Sequence, residues 1–234
     1  MSRITKIGST MISVMLLLSV TAFAEDLNQE LLEAAKNGQT ETVTSLLDRG
    51  ADVNKKDLVH MTPLMLAAKG GYTETVTTLL DKGADVKAKA YLGVTALMLA
   101  ASSEHSETTA ALLTKGADVN AKDDSGYTAL MFAAKEGSME TVKTLLSSGA
   151  DANTNANNGD TALTLAAKNG HADIVDLLKP AGASVTVSPE DLNKELYEAV
   201  FAGETKKVIA LLDKGADVNT QTNDGKTALT EAAL

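Results

Sequence analysis

Three histidines, His60, His105 and His171, are the only imidazoles in this chain of 234 residues, and it contains no cysteine. A thiol nucleophile and a disulfide framework are therefore excluded. His105 and His171 lie 66 residues apart, two steps of a period of 33 that runs through the sequence, which assigns them equivalent structural positions. A second series, Asp52, Asp85, Asp118, Asp151 and Asp217, offers carboxylates of the kind that bind metal ions. Stacked helices lie about 10 Å apart, whereas metal–oxygen bonds span about 2.0–2.6 Å, so one ion cannot bridge successive members. They read as turn residues. Met65, Met98 and Met131 form a third series, with thioethers suited to copper or redox chemistry, and their spacing assigns them to stacked core packing. No Gly-x-Ser-x-Gly elbow or glycine-rich phosphate loop occurs, and no serine is placed with a histidine and a carboxylate. No residue is accordingly assigned to catalysis, to a cofactor or to a metal, and the expectation is a chain that is not an enzyme.

The elements that must position these residues follow the same period. A Gly-Ala pair begins at Gly50, Gly83, Gly116, Gly149, Gly182 and Gly215. Thr-x-Leu recurs at Thr62, Thr95, Thr128, Thr161 and Thr227. The fullest copy is Gly116 to Ala134, and the best single turn is Thr62-Pro63-Leu64-Met65. These residues resemble the ankyrin repeat, over a stretch from about Asp26 to Leu234. The resemblance implies an all-α ankyrin-repeat solenoid of helix–turn–helix units with finger-like turns. It places one domain over 25–234, with repeats at about 26–55, 56–88, 89–121, 122–154, 155–187 and 188–220 and a partial one at 221–234.

Within each repeat the threonines are helix N-cap residues whose hydroxyls can accept a free amide, and Pro63 suits a first helical position. Paired alanines (Ala67-Ala68, Ala100-Ala101, Ala133-Ala134, Ala166-Ala167) allow close helix approach, and Val76, Leu79 and Leu80 mark the inward stripe of a second helix. Gly50 is the expected left-handed residue that ends that helix type. Asp26 to Leu31 replaces the finger of the first repeat, as a polar cap should.

Departures are equally informative. His60 stands where Gly93, Gly126 and Gly159 stand, which predicts a distorted finger in repeat two. Glu104 replaces a helix-ending glycine, and Lys179-Pro180 predicts a shortened end to repeat five. Asp191 to Leu196 nearly repeats Asp26 to Leu31 at an offset of 165, five periods, after a capping start at Ser188. The unbroken glycine spacing favours one continuous solenoid with a weak joint there, a domain break being the alternative. Leu229, Ala232, Ala233 and Leu234 belong to a last helix with no second helix to cover it.

Residues 1–24 read as a secretory leader: Arg3 and Lys6, an apolar run from Met11 to Val20, then Ala22-Phe23-Ala24 before a cleavage point at Glu25. The run is too short for the roughly 20 residues that span a bilayer. The expected location is periplasmic or secreted, with no membrane insertion after cleavage. The leader holds two of the 21 basic residues, so the rest carries 19 against 31 acidic ones, a net charge of −12. Such a chain is a poor partner for nucleic acid.

The resemblance implies that partners meet the concave side, formed by finger tips and first-helix ends. Here those positions are Lys56, Leu58, Val59 and Met61 in repeat two, Lys89, Tyr91, Leu92 and Val94 in repeat three, and Lys122, Tyr127 and Lys135 in repeat four. Apolar groups on a face expected to be wet mark an interaction surface. Two of the four tyrosines fall on it, a residue type enriched among interface hot spots. Lys56, Lys89 and Lys122 line the fingers, while Glu41, Glu74, Glu107, Glu140 and Asp173 line the starts of the second helices. The expected function is a non-catalytic module that holds or regulates another exported protein, as a monomer with self-association open to its C-terminal end. An immunity-type inhibitor of a toxin enzyme is the alternative, and a small-molecule or metal-responsive enzyme is the reading from a different class.

Overall fold

The computed structural model describes residues 25–179, 189–213, 216–219 and 227. The leader-like residues 1–24, Pro180, Gly182, the Ser188 start, Gly215 and the expected last helix at Leu229–Leu234 lie outside the described residues. The chain divides into two compact units, Met1–Ser184 and Val185–Leu234.

In the first unit α1 spans 25–36 and α2 Thr40–Asp48. Three pairs follow: α3 Pro63–Lys69 with α4 Thr73–Asp81, α5 Ala96–Ser102 with α6 Ser106–Thr114, and α7 Ala129–Glu136 with α8 Met139–Ser147. The last pair is α9 Ala162–Lys168 and α10 Ala172–Leu178. First helices stack in one layer (α3 on α5, α5 on α7, α7 on α9) and second helices in another (α2 on α4, α4 on α6, α6 on α8). Among the described residues there is no strand; the chain is an all-α repeat solenoid.

Each inner first helix starts as its threonine requires. The hydroxyls of Thr62, Thr95, Thr128 and Thr161 accept the amides of Met65, Met98, Met131 and Thr164 at 3.3, 3.3, 3.4 and 3.1 Å. Second helices end in a left-handed glycine: Gly50 has φ 93°, its amide donates to the Leu47 carbonyl, and Ala51 donates to Leu46, both at 3.0 Å. That pair of bonds satisfies carbonyls which would otherwise be orphaned at the helix end.

The core runs from Leu27 to Leu178 without a break. The alanine pairs of α3, α5 and α7 are fully buried, so first helices pack almost backbone to backbone. In α9 the pair is split, with Ala166 buried and Ala167 exposed. Met65, Met98 and Met131 are at most 1% exposed, as core packing demands. The α10 helix has seven residues where α2, α4, α6 and α8 have nine, the shortening expected before Pro180.

The second unit pairs α11 Pro189–Phe201 with α12 Thr205–Asp213 around Leu196, Ala199, Leu211 and Ala216. Its entry repeats that of the first unit. Asn28 Oδ1 accepts the Asp52 amide at 2.7 Å, and Asn193 Oδ1 accepts the Asp217 amide at 2.6 Å, each across 24 residues.

Candidate interaction surface

Between a second helix and the next first helix the chain makes a finger. Four fingers close with the same two bonds. Asp57, Ala90, Asp123 and Ala156 donate their amides to the carbonyls of Met61, Val94, Tyr127 and Asp160 (2.9–3.0 Å), and accept from His60, Gly93, Gly126 and Gly159 (2.9–3.2 Å). At the bases, the Asp52, Asp85, Asp118 and Asp151 carboxylates each accept an amide two residues on, at 2.9–3.0 Å. These aspartates are turn residues.

Finger two is not distorted. His60 takes the left-handed backbone of the glycine it replaces, φ 62°, and the closing bonds hold it there, helped by Asp57 Oδ1, which accepts the amides of Val59 and Met61. Asp123 does the same for Ser125 and Tyr127 in finger four. The irregular finger is the third, where neither Ala90 nor Leu92 supplies the side-chain acceptor that Asp57, Asp123 and Asn158 give the other fingers. A 3₁₀ turn forms over Tyr91–Gly93 with Leu92 itself at φ 60°. A bulky side chain in that region is strained, and strain of this kind concentrates at functional sites.

The tips divide into two sets. Leu58, Val59, Tyr91 and Leu92 are exposed by 102, 57, 67 and 61%. Met61, Val94 and Tyr127 depart from the expectation of a wet face, because all three are half-buried against the core. Tyr127 reaches over to the next finger. Its hydroxyl donates to Asp160 Oδ2 at 2.9 Å and accepts from Asn158 Nδ2 at 3.1 Å, and its ring meets Phe132 at 5.8 Å between centroids. Lys168 adds an ion pair to Asp160 Oδ1 at 2.5 Å. Burial, followed by the Asp160 carboxylate, raises the pKa of the Tyr127 phenol. For Asp160 burial also pushes upward, but bonds from Lys168, Tyr127 and Asn158 outweigh it and hold the carboxyl below its ordinary value.

The lysines are only partly free. Lys56 Nζ donates to the Lys89 carbonyl at 3.4 Å, and Lys89 Nζ to the Lys122 carbonyl at 2.9 Å. Both stay exposed, as do Lys69, Lys122 and Lys135, the last of which lies 3.6 Å from Glu136. Glu41, Glu74, Glu107, Glu140 and Asp173 are exposed in the first turns of the second helices, where a negative charge suits the helix dipole.

Behind the fingers, His105 Nε2–H donates to the Lys69 carbonyl at 3.1 Å and His171 Nε2–H to the Lys135 carbonyl at 3.0 Å. Each ring lies where a Cβ on Gly71 or Gly137 would come within about 2.5 Å of it. The histidines therefore tie one repeat to the previous one. Tyr72, in the same register, fills the space beside Gly38 and Gly70. That role and the Tyr127–Asp160–Lys168 cluster escape a reading of the sequence; the register of Tyr72 with His105 was the available signal for the first. Among the described residues no group of histidine and carboxylate side chains could hold a metal ion, and no helix is long and apolar enough to cross a membrane.

A family model described as ankyrin repeats (3 copies) matches residues 31–123 and 121–189. No curated protein matches the chain.

Proposed function

The chain belongs to the ankyrin-repeat family, whose repeats are protein-interaction modules, and we propose that it holds or regulates another exported protein, without catalysis, through the tips of fingers two and three. The observation that carries this reading is the contiguous set Leu58, Val59, Tyr91 and Leu92, all exposed on two adjacent fingers of an acidic chain. Apolar side chains kept in water at that place gain by being covered. The neighbouring lysines suit an acidic partner and would speed its approach.

Replacing Tyr91 and Leu92 together by alanine is the test. Affinity for a protein captured from periplasmic extract should fall at least tenfold, since a hot-spot tyrosine is worth about 2 kcal/mol. Stability should move within about 0.5 kcal/mol, because neither side chain is buried. Unchanged affinity would place the contact elsewhere. Export rests on the leader-like residues 1–24, and N-terminal sequencing of the cellular protein should begin at Glu25; a chain that still begins at Met1 would contradict it.

A further inference from the structure

The four fingers are joined to one another in a single register. The amide of Tyr91 donates to the Val59 carbonyl at 3.2 Å, that of Asp124 to Leu92 at 3.0 Å, and that of Asn157 to Ser125 at 2.9 Å. Donors and acceptors alike recur every 33 residues. One period before Tyr91 stands Leu58, whose amide would need a carbonyl at position 26. No finger exists there, because α1 runs through 25–36. The first turn of α1 covers only the base of finger two, through the Glu25–Lys55 ion pair at 2.8 Å and the bond from Asp52 to Asn28. Leu58 is left 102% exposed, and among the described residues its amide makes no hydrogen bond. Finger two is thus the open edge of a ladder of strand-like bonds, and an open edge is a template for an added extended segment.

We propose that the Leu58 edge of finger two receives an extended, acidic and apolar segment of the partner protein. One backbone carbonyl of that segment accepts the Leu58 amide, and an apolar side chain beside it covers Leu58 and Val59. The charge of the segment follows from the surroundings. Lys56 and Lys89 are exposed and, among the described residues, paired with no carboxylate. Asp57, the nearest acid in the finger, is already occupied by two amides of its own turn. This inference rests on the protein-binding reading of the fingers and adds to it the conformation and chemistry of what binds.

Leu58 is the first central residue of the turn closed by the His60 amide on the Asp57 carbonyl at 3.0 Å. Proline fits that position of a turn, so Leu58→Pro removes the amide donor while the finger can still close. The probe is a displayed library of random linear peptides selected on the full chain. Selected peptides should carry aspartate or glutamate around an apolar residue. Leu58→Ala, which keeps the amide, should weaken them about tenfold. Leu58→Pro should weaken them about fivefold further, the worth of one net backbone bond. A second measurement needs no variant: exchange of the Leu58 amide proton should slow at least about tenfold in the complex, as for any amide that gains a protected bond. Peptides that leave this exchange unchanged, or a selection that yields no binder, would overturn the edge. Peptides lost on Tyr91→Ala with Leu92→Ala but indifferent to both Leu58 changes would overturn the edge and leave the finger surface standing. Peptides indifferent to changes at Leu58, Tyr91 and Leu92 alike would overturn both.

Discussion

Asp160 shows how one carboxylate can tie two fingers together. It accepts from Tyr127 across 33 residues, from Asn158 within its own turn, and from the Lys168 ammonium at the end of α9. Only 12% of its side chain is exposed, so these bonds act with limited screening by water. Its pKa lies below the ordinary carboxylate value, so its contribution to stability is full above the unfolded value, about 3.9, and is lost as pH falls through the folded one. Denaturant titrations of the protein and of Asp160→Asn should therefore show a constant stability gap near neutral pH that closes below about pH 4. A gap unchanged into acid would mean that the carboxylate charge does not matter there. The contrast with Tyr91 is instructive. Both tyrosines occupy finger positions, yet Tyr127 is held by Asp160 and Asn158 while Tyr91 stands in solvent. Register separates them: Tyr127 shares its place in the 33-residue period with Met61 and Val94, all three half-buried, whereas Tyr91 shares that of Leu58 at the exposed tip.

At the scale of the element, helices were the legible part. Threonine caps, alanine pairs and terminal glycines each answer a local requirement, and each is found where the period puts it. Finger shape was less legible. A histidine in a glycine slot suggested distortion, but a turn closed by two backbone bonds and an aspartate side chain is strong enough to impose its own backbone on His60. Leu92 is the converse case, an ordinary residue in a left-handed backbone on a finger where neither Ala90 nor Leu92 supplies a side-chain acceptor. In finger five Ala156 also lacks one, but there Asn158 Oδ1 accepts the Asp160 amide. Left-handed conformations cost non-glycine residues about 1–2 kcal/mol, partly offset by the greater freedom that glycine loses on folding. His60→Gly and Glu104→Gly should each stabilise the first unit by roughly 0.5–1 kcal/mol in denaturant titrations. Loss of stability in either variant would show that the side chain, at φ 62° or 63°, makes a contact worth more than its strain.

At the scale of the whole molecule, the chain holds two units with matching entries. The 165-residue offset between Asp26–Leu31 and Asp191–Leu196 reappears in space as the Asn28–Asp52 and Asn193–Asp217 bonds. What the period could not reveal is how unevenly exposure is distributed. Apolar side chains stand in solvent on fingers two and three, whereas finger five ends in Asn157 and Asn158. The first turns of the second helices carry the acidic row, so a partner that reads charge meets two different surfaces. The most direct test of the central claim places a photo-crosslinking amino acid in living cells at Tyr91 on a finger tip, and separately at Glu74 in the exposed first turn of α4. The account predicts a discrete crosslinked protein from position 91 and none from position 74. A product from position 74 alone would contradict it.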